Sequence, residues 1–246
     1  MSLLNSIPRI DPLVERGFRL MPAVVSEIDA ARLRTELQAI LGSATDGPIS
    51  HADKTPVASR NIRQLWPSIV SWIADSPIAT DVRGVLGPHC GLVRILYFDK
   101  PPGQSWSLPW HKDLTIAVRE HPTRDPKRWK PTVKAGVPHV EAPGQVLRGM
   151  LTARLHLDDV TAENGPLLVV SGSHRESDTS PSARESDTIV TVYARTGDVL
   201  YMRPLLTHCS RATSPTTTRH RRILHLEFAD SADLPNGLEW YSFDAL

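Results

Sequence analysis

Two histidines and one aspartate have the types and the spacing of a metal site. His111 and Asp113 are separated by one residue, and His208 lies far downstream, ahead of Arg221 and Arg222. Two histidines and one carboxylate are the ligand set of non-haem Fe(II) sites that keep open coordination positions. A nearby arginine could hold a dicarboxylate co-substrate, because its planar guanidinium makes two parallel hydrogen bonds to a carboxylate. This pattern predicts oxidation chemistry at a bound metal.

The His-x-Asp/Glu pattern alone has little specificity. Ten histidines and 27 acidic residues in 246 positions give about one such pair by chance, yet the chain contains six. The six pairs are His51/Asp53, His111/Asp113, His139/Glu141, His156/Asp158, His174/Glu176 and His225/Glu227. The choice among them therefore depends on their context.

Seven short segments, taken in order, provide that context. They are Phe98-Asp99-Lys100-Pro101-Pro102, Trp110-His111-Lys112-Asp113-Leu114, Glu163-Asn164-Gly165-Pro166-Leu167, Ser171-Gly172-Ser173-His174, Gly197-Asp198, Pro204-Leu205-Leu206-x-His208-x-Ser210 and the strand opened by Arg221-Arg222. With these segments the chain resembles the phytanoyl-CoA dioxygenase family of Fe(II)- and 2-oxoglutarate-dependent oxygenases over about residues 91–230. Seven segments in one order are far more specific than any single motif.

The resemblance implies a cofactor set and a role for each matching residue. His111, Asp113 and His208 would be the iron ligands, and Arg221 would hold the distal carboxylate of 2-oxoglutarate. Lys100 and Ser210 match positions that help to hold this co-substrate. The implied reaction uses Fe(II), 2-oxoglutarate and dioxygen to hydroxylate a small organic molecule, and it releases succinate and carbon dioxide.

The arginine assignment has alternatives. The stretch between His208 and Arg221 is two residues longer than usual in the family, which leaves Arg219 and Arg222 as further candidates. Strand alternation places Arg221 on one face with Ile223, His225 and Glu227, and Arg222 on the other with Leu224, Leu226 and Phe228. If the apolar face meets outer helices, Arg221 points inward. The chain also departs from the family pattern at two other positions. Lys112 stands where glutamine is common in the family, and Cys209 stands where glycine is common.

The nearest rival metal pair is His156 and Asp158, which lie in a predicted strand. A double-stranded β-helix places the His-x-Asp pair early in the barrel and the second histidine near its end. Five predicted strands separate Asp113 from His208, whereas three separate Asp158 from His208. The strand count therefore favours His111 and Asp113.

The elements that position these residues follow from hydrophobic periodicity. Residues 26–42 form a predicted amphipathic helix with Ser26 as N-cap, and 67–86 a helical stretch broken at Pro77. Predicted strands cover 92–98, 114–118, 149–158, 166–170, 188–194, 198–202 and 221–229. We predict a mainly β fold with flanking helices, a double-stranded β-helix (jelly-roll, cupin-like) barrel. The chain, 1–246, reads as a single oxygenase domain, with a helical part over about 1–90 and the barrel over about 91–230.

Composition restricts the partners. The formal net charge is +1, so no overall field attracts nucleic acid or a membrane surface. No apolar run of about 18 residues and no secretory h-region is found. The two cysteines, Cys90 and Cys209, suit free thiols in a reducing compartment. These features predict a cytoplasmic protein with a small-molecule substrate; they do not indicate an oligomeric state.

Other functions and further site residues remain open. The chain could be a metal-binding barrel without turnover, or an oxygenase that desaturates or halogenates, although Asp113 fills the coordination position that a halide would need. Trp106, Trp110 and Trp129 are candidates for a pocket lining or for core packing. The loop-like stretch 119–146 is rich in basic residues and either borders the entrance for an anionic substrate or forms a solvated surface. A second loop-like stretch covers 175–187.

Overall fold

The computed structural model describes residues 11–43, 49–52, 55–104, 106–123, 126–176, 183–184 and 187–246. The strands are β1 (Phe18–Met21), β2 (Ile49–Ala52), β3 (Thr55–Ser59), β4 (Gly91–Phe98), β5 (Leu108–His111), β6 (Thr115–Ala117), β7 (Thr132–Lys134), β8 (Val137–Glu141), β9 (Met150–His156), β10 (Leu167–Val170), β11 (Ile189–Val192), β12 (Val199–Met202), β13 (His208–Ser210), β14 (Ile223–Ala229) and β15 (Asp244–Ala245). The α-helices are α1 (Pro12–Glu15), α2 (Glu27–Ser43), α3 (Ile62–Leu65), α4 (Ile69–Asp75), α5 (Pro77–Leu86), α6 (Pro126–Trp129) and α7 (Gly144–Arg148).

Two antiparallel sheets form the barrel. The larger sheet has the order β1-β12-β9-β14-β4-β3-β2, with β15 beside β4, and the smaller one has the order β11-β10-β13-β5. Side chains from the two sheets pack against each other, among them Phe18, Leu167, Val169, Leu200 and Met202. A third sheet, β6-β8-β7, comes between β5 and β9 in the chain. Its residues Ile116 and Val140 share an apolar cluster with Val93 and Ala229 of the larger sheet. The mainly β architecture matches the prediction.

The helices cover the apolar outer face of the larger sheet. Leu33 and Leu37 of α2 and Ile73 of α4 share one buried cluster with Leu224 and Leu226 of β14. The predicted helix over 26–42 is confirmed as α2, and the Ser26 hydroxyl accepts a hydrogen bond from the Asp29 backbone amide at 3.0 Å. The second helical stretch is confirmed as α4 and α5, which are separated at Ser76 before Pro77.

The sequence had suggested a helical part over about residues 1–90, but this segment is not purely helical. They also contribute β1, β2 and β3 to the larger sheet, with β1 paired to β12 and β3 to β4. These strands have four or five residues, too few for an alternating pattern to be recognised. The division of the chain near residue 90 within a single domain stays a prediction.

The stretch 119–146 was predicted to be a loop, and this is wrong. It contains α6, β7, β8 and the start of α7, and β8 pairs with both β6 and β7. Strands of three and five residues joined by a tight turn escape a periodicity search, because they complete few alternations. The stretch 175–187 lies largely outside the described residues. No helix in the described part of the chain has the length and apolar character required to cross a membrane.

Candidate metal centre and co-substrate site

Strand pairing brings the two candidate histidines together. In the antiparallel pair β13–β5, His208 lies directly opposite His111, and the centroids of their rings are 4.1 Å apart. Asp113 follows two residues after His111, and its backbone amide donates to the Pro204 carbonyl at 2.9 Å. One potential ligand atom from each of His111, Asp113 and His208 lies within 4.8 Å of the others. Among the residues that the structure describes, this is the one such group of three.

Backbone hydrogen bonds orient both imidazoles. Nδ1 of His111 lies 2.8 Å from the Pro109 carbonyl oxygen, and Nδ1 of His208 lies 2.9 Å from the Leu206 carbonyl oxygen. A carbonyl can only accept, so each Nδ1 carries the proton and donates. In the neutral ring Nε2 then keeps its lone pair for a metal. Such second contacts are typical of metal-binding histidines, because they set the tautomer and the ring direction.

The protonation states of this group suit a cation. Burial lowers the pKa of His208 to about 4, so its ring is neutral at pH 7. Burial alone would raise the pKa of Asp113, but the neighbouring His208, His225, His111 and Arg94 lower it to about 2. Oδ2 of Asp113 is buried, has no hydrogen-bond partner within the described ranges, and lies 3.7 Å from Nε2 of His208. A buried, ionised oxygen without a donor fits a metal ion, which would compensate its charge.

The rival pair does not converge. Nδ1 of His156 lies 3.1 Å from the Asp198 carbonyl oxygen, and burial lowers the pKa of this histidine to about 3. Asp158 instead accepts two hydrogen bonds from the side chain of Arg222, at 2.6 and 2.8 Å, and pairs with Arg34 at 3.2 Å. The two side chains therefore serve separate structural contacts.

The three candidate arginines have different surroundings. Arg221 is buried and lines the same cavity of about 620 Å³ as the His111/Asp113/His208 group. Arg219 is exposed, and Arg222 is engaged by Asp158. The apolar face of β14 does meet the helices, as the presence of Leu224 and Leu226 in the helix-containing cluster demonstrates, so the opposite face carries Arg221 into the barrel.

Arg221 is held in place but retains free donors. Its Nη1 donates to the Gly165 carbonyl at 2.6 Å, while its buried Nε has no partner in the described part of the chain. Gly165 has φ +74°, and a Cβ there would lie 2.6 Å from the Arg211 carbonyl oxygen, so this position requires glycine. Burial, together with the charge of Arg154, lowers the pKa of Arg221 to about 9. An anion would compensate this buried charge.

Lys100 and Ser210 contact each other beside Arg221. The backbones of Lys100 and Arg221 exchange two hydrogen bonds of 3.2 Å, so the two side chains leave the sheet on the same face. The Lys100 ammonium donates to the Ser210 hydroxyl at 3.0 Å and to the carbonyls of Trp106 and Arg211 at 2.8 and 2.6 Å. Burial and the charge of Arg221 lower the pKa of Lys100 to about 7. Lys100 is thus buried and fully hydrogen-bonded.

Besides Lys112 and Glu141, six charged or titratable residues of the cavity wall were not predicted as site residues. They are Arg60, Arg94, Lys134, Arg154, His225 and Glu227. Glu227 accepts from Nη2 of Arg94 at 2.5 Å and lies 3.3 Å from Nε2 of His225. Alternation along β14 was a usable signal for His225 and Glu227, since both share the face of Arg221. The other four lie on separate elements, and no spacing in the sequence links them.

Some of the candidate tryptophans and some residues of the basic stretch 119–146 line the cavity, and others do not. Trp106 lines the cavity, with its ring 5.6 Å from the Lys100 ammonium, whereas Trp129 is buried in the cluster beside the third sheet. From the stretch 119–146, Lys134 and Glu141 reach the cavity wall. Arg128 lines a different surface groove, and Lys130 forms an ion pair with Glu141 at 2.7 Å. Basic character at the cavity therefore comes from other residues than Arg128 and Lys130.

Solved structures of oxygenase-type enzymes share this fold. The α-ketoglutarate-dependent epimerase SnoN from nogalamycin biosynthesis is 18% identical, with a TM-score of 0.67 over 96% of this chain and 88% of SnoN. The carbocyclase SnoK from the same biosynthesis is 19% identical, with a TM-score of 0.65 over 90% and 82% of the two chains. EctD from S. alaskensis, solved with 2-oxoglutarate and 5-hydroxyectoine, is 18% identical, with a TM-score of 0.68 over 90% and 74%. These likenesses confirm the predicted jelly-roll fold.

The predicted cofactors agree with what these neighbours contain. SnoN has also been crystallised with Fe3+, α-ketoglutarate and a nogalamycin compound. No curated protein matches the chain in sequence. The family model of phytanoyl-CoA dioxygenase (PhyH) matches residues 13–222, most of the chain and all of the segments that suggested this resemblance. The chain therefore belongs to the phytanoyl-CoA dioxygenase family.

Proposed function

We propose that the protein is an Fe(II)- and 2-oxoglutarate-dependent dioxygenase that hydroxylates a small organic molecule and releases succinate and carbon dioxide. In this proposal His111, Asp113 and His208 hold the iron, and Arg221 holds 2-oxoglutarate. The observation that carries it is the convergence of these three ligands with a buried, incompletely bonded arginine in one cavity. Family membership supports the same chemistry.

The ligand residues would present three donors from one side. One potential ligand atom of each of the three residues lies within 4.8 Å of the others, and the backbone bonds at the two Nδ1 atoms leave Nε2 of each histidine for the metal. Iron bound there would, with 2-oxoglutarate, activate dioxygen for attack on a C–H bond. Asp113, ionised at neutral pH, would offset part of the metal charge.

The co-substrate would occupy the end of the cavity that contains Arg221. Its distal carboxylate would accept from the free Nε and Nη2 donors of Arg221, since Nη1 is used by Gly165. Ser210 lies at the same end, oriented by Lys100, and offers a hydroxyl to the same carboxylate. Lys100 has its three donors engaged, so its contribution would be to place Ser210 and to add positive potential.

The basic test is turnover of the co-substrate. Protein reconstituted anaerobically with Fe(II) and then exposed to oxygen should form succinate from 2-oxoglutarate, slowly alone and faster with a true substrate found by a metabolite screen. Asp113→Asn, which has nearly the same shape, should abolish this succinate. A metal-binding barrel without turnover would bind iron and 2-oxoglutarate but form no succinate, and that result would replace our proposal.

We expect the oxygenated product to be hydroxylated and not halogenated. In the proposed site Asp113 occupies the coordination position that a halide would need, and its pKa of about 2 means that it is ionised at neutral pH. Mass spectrometry of a productive reaction in excess chloride measures the product directly. A chlorinated product from the unaltered protein would contradict the assignment of Asp113 as a ligand, and loss of two hydrogens would indicate desaturation.

The proposal includes a cytoplasmic location and a small-molecule partner. Both cysteines are free, with Cys90 buried and Cys209 partly exposed, which suits a reducing compartment. The neighbour structures with 5-hydroxyectoine and a nogalamycin compound contain small molecules, and the cavity of about 620 Å³ lies within the size range of small-molecule sites.

A further inference from the structure

The two ends of the cavity carry different charged residues. Arg221 lies two residues before β14, on extended backbone paired with Lys100, and Glu227 lies six residues later on the same face, about 20 Å away at about 3.4 Å per residue. His225 lies between them, next to Asp113, whose pKa it helps to lower. The metal group thus separates the Arg221 end from a second charged end. This second end has no task in the binding of iron or 2-oxoglutarate.

Three cations from three different elements meet at the second end. Arg94 comes from β4, Lys134 from the end of β7, and Arg60 from the residue after β3. They influence one another: besides burial, the charge of Arg94 lowers the pKa of Arg60, and the charges of Arg94 and Arg60 lower that of Lys134. Cations that raise each other's energy in a cavity are stabilised by a bound anion.

The acidic residues at this end do not neutralise the three cations. Glu227 is the partner of Arg94, at 2.5 Å. Glu141 is already paired with Lys130, at 2.7 Å. Lys134 donates to the Thr115 hydroxyl at 2.7 Å, and the Arg60 guanidinium has no hydrogen bond or ion pair with any residue that the structure describes. Arg60, which is exposed to solvent and also lines the cavity, and Lys134 therefore have no ion pair of their own with a carboxylate in the described residues, and the single charge of Glu227 acts on all three cations.

Apolar residues connect this end to the metal group. Leu96 follows Arg94 on the same strand face and pairs with His225, and Leu114 adjoins Asp113; both line the cavity. We infer that the substrate is a small amphipathic oxyanion, whose carboxylate or phosphoryl group binds Arg60 and Lys134 and whose apolar part lies along Leu96 and Leu114 toward the iron. The orientation of the substrate toward the metal rests on the proposed function. The anion-binding site itself consists only of the protein side chains of Arg60 and Lys134.

The test compares an acid with its neutral isostere. Protein loaded anaerobically with Fe(II) and saturated with 2-oxoglutarate is titrated with phenylacetate, phenyl phosphate and phenylacetamide, with binding followed by calorimetry or ligand-observed NMR. We expect one of the two anions to bind at least tenfold more tightly than the amide. Which one binds better identifies the carboxylate or the phosphoryl group as the preferred head. Arg60→Gln and Lys134→Met should each remove most of the preference for the anion.

Arg128→Gln is the matched control, because it removes an exposed positive charge from the same segment as Lys134 but outside the cavity. It should keep the preference. Equal binding of anions and amide, an equal loss in Arg128→Gln, or displacement of 2-oxoglutarate by the anions would overturn the inference. Iron content and 2-oxoglutarate affinity, measured in the same samples, test the proposed function separately. The titrations are repeated on metal-free protein, so that the anion-binding site at Arg60 and Lys134 is tested even if iron does not bind.

Discussion

Replacing His111, Asp113 or His208 by alanine should abolish stoichiometric iron binding. Each substitution removes one of three donors that lie within 4.8 Å of one another, and the cavity wall supplies no fourth histidine or carboxylate to this group in the described residues. Loss of an outer-shell contact already weakens metal affinity by about 10–100-fold, so loss of a direct ligand should cost on the order of 100-fold or more. Metal analysis after anaerobic reconstitution and desalting measures the effect.

His156→Ala is the informative control, since it removes a buried histidine from the rival pair. It should retain iron, because His156 is bonded to the Asp198 carbonyl and Asp158 to Arg222. Asp113→Asn tests the charge of the carboxylate without creating a cavity, and thermal unfolding of every variant identifies those that fail to fold. Full iron in His111→Ala with loss of iron in His156→Ala would show that the wrong pair was assigned.

Hydrophobic periodicity predicted the long strands well. The predicted strands at 92–98, 149–158 and 221–229 correspond to β4, β9 and β14 within two residues at each end. These three form the centre of the larger sheet, where burial on both faces gives continuous apolar runs or clear alternation. The two strands that carry the histidines, β5 and β13, have four and three residues and were not recognised as strands. Their positions depend on cross-strand pairing, which a local pattern does not contain.

The site was predictable to the extent that its residues share a strand or a family motif. His111, Asp113 and His208 were chosen from ordered motifs, and alternation placed Arg221 and Arg222 on opposite faces without deciding which face is inside; the structure places Arg221 in the cavity wall. The cations Arg60, Arg94 and Lys134 belong to distant segments that only the folded sheets bring together. The basic stretch 119–146 had suggested an anionic substrate, but Arg128 and Lys130 do not line the cavity, and Lys134 is the basic residue of this stretch that lines it among those whose side chains are described.

The fold alone does not determine which reaction this chain catalyses. The residues of the cavity wall restrict which substrates can bind. Neighbours with the same fold include an epimerase and a carbocyclase. Epimerisation and ring formation are different reactions on one fold. A fold does not fix the reaction, so the way in which the site of this chain positions its substrate has to decide it. The second charged end of the cavity is therefore the part of this protein that should determine its specificity.

Arg221→Ala should weaken 2-oxoglutarate binding strongly while leaving iron binding unchanged. Removing one partner of a buried, charged, hydrogen-bonded pair costs about 2–5 kcal/mol, and the lower limit corresponds to roughly a 30-fold rise in the dissociation constant. Arg221→Lys should restore only part of the affinity, because an ammonium keeps the charge but not the planar pair of donors. Anaerobic titration of the iron-loaded protein with 2-oxoglutarate measures these constants.

The neighbouring arginines make this experiment decisive. Arg219→Ala removes an exposed charge two residues away and should leave the 2-oxoglutarate affinity unchanged. Arg222→Ala breaks the ion pair with Asp158 and should lower the free energy of unfolding, again with little effect on the co-substrate, because its side chain lies on the opposite face of the strand. If Arg221→Ala bound 2-oxoglutarate normally and either neighbour lost it, the strand would have to present its other face to the cavity. In the structure Leu224 and Leu226 pack against the helices. The face of β14 that carries Arg222 therefore points away from the cavity, and that result would contradict the structure.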